Sequence, residues 1–254
     1  MRNKYVLILM AGMFLLALNG CAGSQHKKIE QARALRELGK EYYLAGEHTM
    51  ALRQLLEAEN LYPNDHLLQN YLGLVYLAKK QYEQAAEHFQ KAVDLKPDFS
   101  PAKNSLGVAY LSLGRYDDAI VLFQELTRDL LYGTPHYPLT NMGFAYYKKK
   151  QYRLAEQSYK DALDIEPKYH IALRGLGRTY MAMGRYQEAI ASLKEAVKVV
   201  PEFVDAYFDL GKAYLIIRDY RQALLAFEKV AALEPDSKQG KLASEYAAKL
   251  SRFR

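Results

Sequence analysis

The amino-acid sequence predicts an all-α chain, a right-handed superhelical solenoid of six helical hairpins closed by a C-terminal capping helix. Three observations lead there. Glycines recur at Gly39, Gly73, Gly107, Gly143, Gly177 and Gly211, spaced 34, 34, 36, 34 and 34 residues, and self-similarity at such a period marks a stacked repeat. Twelve residues after each glycine stands an alanine (Ala51, Ala85, Ala119, Ala155, Ala189, Ala223). Twelve further on comes Pro63, Pro97, Pro167, Pro201 or Pro235, in every repeat but the third. Between these marks lie paired stretches of about 12–14 residues with apolar side chains three and four apart, the spacing of amphipathic helices.

Each repeat adds a tyrosine three residues after its glycine (Tyr42, Tyr76, Tyr110, Tyr146, Tyr180, Tyr214) and, on the second helix, a large side chain at Leu55, Phe89, Phe123, Tyr159, Leu193 or Phe227. Small glycine and alanine let two helices approach, the larger groups fill the wedge between them, and proline ends the unit because it cannot continue a helix. A lone hairpin cannot bury its apolar face, but stacked neighbours can. The pattern resembles the tetratricopeptide repeat in all six copies, over residues 32–237.

The flanks read differently. Residues 1–20 form a lipoprotein signal peptide, with Arg2 and Lys4 ahead of a 14-residue, mostly apolar run from Tyr5 to Leu18, too short to cross a bilayer comfortably. It ends at Leu18-Asn19-Gly20-Cys21, which resembles a bacterial lipobox. Cys21 is the only cysteine, so no internal disulfide can form, and lipidation explains its position and its solitude together. Each buried CH₂ of an acyl chain contributes about 0.8 kcal/mol, so two chains hold a protein on a membrane. Residues 21–31 are then the lipidated cysteine and a short polar tether. Ala22 rather than Asp after the cysteine implies, by resemblance to Gram-negative lipoproteins, a periplasm-facing protein of the outer membrane. Without Arg2 and Lys4 the mature chain carries 33 basic and 29 acidic side chains, a net charge of +4. With no dense Lys/Arg block, nucleic acid is not an expected partner. At the other end, residues 238–254 read as the capping helix, with Leu242, Tyr246, Leu250 and Phe253 on one face.

No catalytic constellation, metal site or cofactor site is expected. The six histidines read as scattered, the glycines are isolated rather than gathered in a phosphate loop, and Lys148-Lys149-Lys150 reads as a solvated turn. Function is therefore expected on the groove lined by the first helix of each hairpin, as a protein-binding surface. Counting from the glycine, the lining falls at about −6, −3, +1, +4 and +5. That places Arg36, Lys40 and Tyr43 in the first repeat, Leu67, Asn70, Leu74 and Leu77 in the second, and Asn104, Val108 and Leu111 in the third. Tyr137, Phe144 and Tyr147 follow in the fourth, Arg174, Arg178 and Met181 in the fifth, and Phe208 and Lys212 in the sixth. The expected groove is apolar in its middle, with basic residues in the first and fifth repeats. The basic and asparagine set that grips a C-terminal carboxylate in chaperone-binding repeats is absent, since Arg36, Lys40, Tyr71, Pro101 and Ser105 occupy those positions.

The third repeat breaks the period by two residues. Where proline is due stands Leu131, then Tyr132-Gly133-Thr134-Pro135. Gly133 is suited to end a helix, Thr134 to cap the next with Pro135 at its first position, and Pro138 to lie within its first turn. The lipobox, the six repeats, Asp129-x-Leu131-Tyr132 and Asn141-x-Gly143 together resemble the type IV pilus pilotins, most nearly their social-gliding branch. The resemblance implies a non-enzymatic lipoprotein that binds the outer-membrane secretin and promotes its localisation and multimerisation. The alternative is another periplasmic repeat scaffold, serving β-barrel assembly, cell-wall hydrolases or polysaccharide export.

Overall fold

A computed structural model describes residues 25–129 and 133–253. The leader, Cys21 and Tyr132 lie outside the described residues. Thirteen α-helices and a short 3₁₀ turn account for nearly all of them, and no strand occurs among them. In order these are α1 (25–44), α2 (His48–Leu61), α3 (His66–Ala78), α4 (Tyr82–Leu95), α5 (Ser100–Ser112), α6 (Tyr116–Arg128), α7 (His136–Lys148), α8 (Tyr152–Ile165), α9 (His170–Ala182), α10 (Tyr186–Val199), α11 (Val204–Ile216), α12 (Tyr220–Leu233) and α13 (Lys238–Leu250), with Ser251–Phe253 as the 3₁₀ turn. Two compact units meet at Leu113–Gly114, in the turn of the third hairpin. The first holds α1–α5 and the second α6–α13.

Every hairpin turns in the same way. The seventh residue after the repeat glycine is left-handed in all six, with φ of 79° at Gly46, 60° at Lys80, 74° at Gly114, 59° at Lys150, 76° at Gly184 and 62° at Arg218. Side chains other than glycine hold this conformation at a cost of about 1 kcal/mol. Within the hairpins the alanines at 51, 85, 119, 155, 189 and 223 are fully buried, and so are Leu55, Phe89, Phe123, Leu193 and Phe227. A Cβ on Gly73 would come within 2.6 Å of the Phe89 ring, so the absence of a side chain there lets the two helices close. Tyr180 and Tyr214 are buried, whereas the other four tyrosines of that row are half-buried.

In the first unit, a polar group is built into the α3–α4 packing. Gln69 donates from Nε2 to Glu59 Oε1 and to the Pro63 carbonyl, both at 3.0 Å, and its Oε1 accepts from His88 Nδ1 at 2.7 Å. The imidazole stacks on Tyr76 at 5.2 Å. Burial pushes the His88 pKa below its ordinary value.

The histidines are not scattered, contrary to the sequence reading. His66, His136 and His170 each open a first helix, and each sets its ring edge-on to the residue preceding the next first helix. The pairs are His66–Phe99 at 5.0 Å, His136–Tyr169 at 5.1 Å and His170–Phe203 at 5.0 Å. They pin neighbouring hairpins along their loop edge. The lysine run is not simply solvated either: Lys149 pairs with Asp117, and Lys148 stands over the Phe144 ring at 5.3 Å.

The two-residue slip falls between the end of α6 and the start of α7. Elsewhere a second helix is joined to the next first helix by four residues, as at 62–65, 96–99 and 166–169. The third connection runs 129–135, seven residues, because α6 also stops one residue early. Gly133 stands in open space. Pro135, not Thr134, occupies the cap of α7, with φ −67° and ψ −15°, so the helix starts one residue later than expected. Thr134 contributes its carbonyl, which accepts from the Tyr137 amide at 3.2 Å. Pro138 lies in the first turn, where its missing N–H is tolerated.

The terminal helix covers α12 with a slightly different face from the expected one. Ala243 and Leu250 are buried, Tyr246 stacks on Phe227 at 4.7 Å, and Leu242 is 40% exposed. Helix α13 starts where Ser237 Oγ accepts from the Gly240 amide at 2.9 Å. There the chain passes so close that a Cβ on Gly240 would fall 1.7 Å from the Glu234 carbonyl oxygen. That register brings Ala243 inward and turns Leu242 out.

Two expectations follow. Gly240→Ala should lower stability by about 1–3 kcal/mol, because backbone must move to admit the methyl, read as a lower urea midpoint. For His88, a folded pKa below the unfolded one means that the unfolded chain takes up the proton first. Stability is then full above pH of about 6.5 and falls as pH drops below it, by at most about 1.4 kcal/mol per pH unit. Urea unfolding at pH 7 and pH 5 should show this fall, and His88→Gln should flatten it.

Candidate functional site

Successive first helices touch one another, α3 with α5 in the first unit and α7 with α9 and α9 with α11 in the second, while successive second helices make no comparable contact. The first helices are therefore the closer row within each unit. Their outward residues are those the sequence assigns to a partner.

In the first unit, Arg36 is not a free cation. Its guanidinium binds Glu37 at 2.7 Å and pairs with Asp65, which itself caps α3 by accepting the Leu67 and Leu68 amides at 2.9 and 3.3 Å. Arg36 thus ties α1 to α3. Lys40 lies 3.4 Å from Glu37. Tyr43, Leu67, Leu74, Leu77, Asn104, Val108 and Leu111 are half-buried, whereas Asn70 is buried.

In the second unit, Arg174 is likewise committed, to Asp205 at 2.7 Å and Asp209 at 2.8 Å. Arg178 is looser. It comes no nearer than 4.0 Å to Asp209, and its charge lies 5.1 Å from the centre of the Tyr147 ring. Lys212 stands over Phe208 at 4.7 Å. Phe208 is only 8% exposed and packs edge-on against Phe227 at 5.6 Å, so it serves the core. Tyr137 and Ile171 are exposed, and Phe144, Tyr147 and Met181 are half-buried. Exposed apolar side chains also occur on second helices, at Leu154 and Leu225.

One repeat position, three residues before the glycine, divides into two polar kinds besides the buried Phe208 of the sixth repeat. Arg36 and Arg174 there are ion-paired. Asn70, Asn104 and Thr140 instead carry a buried side-chain oxygen with no hydrogen-bond partner. Buried polar atoms are nearly always satisfied, so unsatisfied ones call for a reason. Thr140 faces a cavity of about 260 Å³ lined also by Asn141, Phe144, Tyr159, Ile171, Arg174, Gly175 and Arg178. Gly175 makes room for Tyr159, since a Cβ there would meet the ring at 2.4 Å. Burial raises the Tyr159 phenol pKa, so the group stays protonated. No set of three or more His, Cys, Asp or Glu side chains that could hold a metal ion occurs among the described residues.

Models of the tetratricopeptide repeat match residues 36–99, 76–130, 146–191 and 204–237, and a further repeat model matches 177–215. The chain belongs to the tetratricopeptide repeat family. The matches leave out 131–145, the segment of the slip and the start of α7. No curated protein sequence matches the chain. Among solved structures, PilW, described as a widely conserved type IV pilus biogenesis factor, is similar with a TM-score of 0.76 and 23% identity, over 83% of this chain and 97% of that one. PilF of Pseudomonas aeruginosa is similar with a TM-score of 0.71 and 17% identity, over 88% and 99%. Cut9, from the APC/C Cut9–Hcn1 hetero-tetramer, reaches a TM-score of 0.73 at 16% identity, over 93% of this chain but 45% of that one. At these identities the likeness is one of fold.

The two arginines of the fifth hairpin should part company in stability. Arg174→Met strands the buried Asp209 carboxylate, so a loss of about 1–3 kcal/mol is expected in urea unfolding. Arg178→Met, which breaks only a long and partly exposed contact, should cost about 1 kcal/mol or less.

Proposed function

We propose that the protein is a pilotin, an outer-membrane lipoprotein that binds the type IV pilus secretin and promotes its outer-membrane localisation and multimerisation. The observation that carries the reading is full-length likeness. The chain spans 97% of PilW and 99% of PilF, against less than half of Cut9, so what it shares with the first two is a whole repeat array. The lipobox ending at Cys21 and the motif around the slip point the same way. Cys21 carries the lipid, the tether runs from residue 22 into the mostly exposed first turns of α1 at 25–31, and the protein faces the periplasm. The partner surface is the first-helix face, where half-buried apolar groups and unsatisfied polar atoms lie side by side.

Deleting the gene should remove secretin multimers from the outer membrane. Cys21→Ser should shift the protein from the membrane to the soluble fraction, and fractionation that leaves it membrane-bound would refute the anchor. Leu74→Glu and Phe144→Asp each put a charge on the proposed surface at a half-buried site. Each should abolish secretin co-purification while circular dichroism reports a folded helical protein. Normal assembly in both variants would refute the surface assignment.

A further inference from the structure

The cavity between α7, α8 and α9 has a chemistry of its own. Thr140 is 4% exposed, and its hydroxyl has no partner. The Tyr159 hydroxyl and the Asn141 amide have no hydrogen bond among the described residues, and both reach the same space. Arg178 supplies a guanidinium whose nearest carboxylate is 4.0 Å away. Two hydroxyls, an amide and a cation therefore converge, and all can donate. Asp205 and Asp209 are engaged by Arg174. Phe144 and Ile171 supply an apolar rim. A partly buried cluster of unspent donors favours an anionic oxygen ligand, since charge-assisted hydrogen bonds are stronger and shorter than neutral ones.

The surroundings indicate what carries that oxygen. Lys148 on α7 stands by Phe144 of the cavity wall, Lys212 lies on α11, which packs on α9, and neither has a carboxylate partner among the described residues. Counting Arg174 and Arg178 against Asp205 and Asp209, this face keeps two positive charges over. Each of these lysines also lies against an aromatic ring, Phe144 or Phe208. A chain passing along α7, α9 and α11 meets both cations and apolar surface.

We propose that this cavity is a carboxylate pocket, which receives one Asp or Glu side chain from the middle of an extended acidic and apolar segment of the protein partner. The proposal rests on the first-helix face being the partner surface and adds the chemistry of what docks there. The donors satisfy the carboxylate oxygens, and the hydroxyl of Thr140 gains the partner that it lacks in the free protein.

The test uses the full chain in detergent micelles and arrays of random 12-residue peptides, amidated at their C-termini. Wild-type protein should select peptides with Asp or Glu beside apolar residues. Replacing that acid by its amide should weaken binding about tenfold. Arg178→Gln and Tyr159→Phe should each abolish the preference for acid while leaving weak apolar binding. Thr140→Val separates a binding role from a structural one. It should leave the urea midpoint unchanged or raise it, because a buried unpaired hydroxyl is removed, and yet reduce the acid preference. Absence of any acid preference in the wild type, or its survival in Arg178→Gln, overturns the proposal. So does stronger binding to amide-substituted peptides with free C-termini, which would make the pocket a reader of chain ends. Secretin multimers in cells, scored separately for the same variants, test the pilotin reading independently.

Discussion

The structure depends on one recurring contact, a glycine of a first helix seated against a large side chain of the second. A Cβ on Gly39, Gly73, Gly143, Gly177 or Gly211 would come within 2.6–2.8 Å of Leu55, Phe89, Tyr159, Leu193 or Phe227. Full burial of such a side chain contributes about 1.5–3 kcal/mol, and it is available only because the facing helix yields a side chain's width. The left-handed turn residue then follows as a necessity, since it must fold two helices back at that spacing. Gly46, Gly114 and Gly184 take this conformation freely, while Lys80, Lys150 and Arg218 hold it against their own preference.

Contacts between hairpins are more varied, and they consume much of the charge. Arg36 reaches an aspartate that caps α3, and Arg174 reaches Asp205 and Asp209 on α11. The two arginines stand at the same repeat position and do the same job. Asn70, Asn104 and Thr140, at that position in the intervening hairpins, have no such partner. Pairing satisfies Arg36 in the first unit and Arg174 in the second, whereas Asn70 and Asn104 in the first and Thr140 in the second keep unmet hydrogen-bonding capacity. The basic residues read from sequence in the first and fifth repeats thus become ion-paired clasps plus a few loose cations, of which Arg178 is the best placed.

Most of the fold was legible in the sequence because a repeat states each rule six times. Glycine, alanine and proline positions gave the hairpins, their turns and their ends. What depended on single residues was less legible. Leu242 follows the periodicity of α13 but lies outside, because the close passage of Gly240 over the Glu234 carbonyl sets the helix's rotation. Phe208 has groove spacing but is drawn into the core by Phe227 and Tyr246. The ion pairs of Arg36 and Arg174 join residues 29 to 35 positions apart, and only stacking brings those together. The histidine–aromatic edges were within reach of the sequence. Counting His66, His136 and His170 from their glycines, at −7 in each case, reveals a shared position that a bare inventory of histidines conceals.

The departures from regularity gather around the fourth hairpin. The lengthened loop precedes it, Pro135 and Pro138 replace the usual start of its first helix, and Tyr159 takes the wedge position held elsewhere by leucine or phenylalanine. Gly175, an extra glycine on α9, then has to clear space for that tyrosine's hydroxyl. Packing alone would be served as well by phenylalanine, which brings no hydroxyl. Thr140 beside it, a buried hydroxyl without a partner, carries a desolvation penalty of about 1–3 kcal/mol. A repeat scaffold holds such groups readily, because its stability comes from many similar contacts elsewhere. The same independence leaves first-helix positions free to be shaped by a ligand, and in the fourth and fifth hairpins the polar groups are arranged as a ligand would need them.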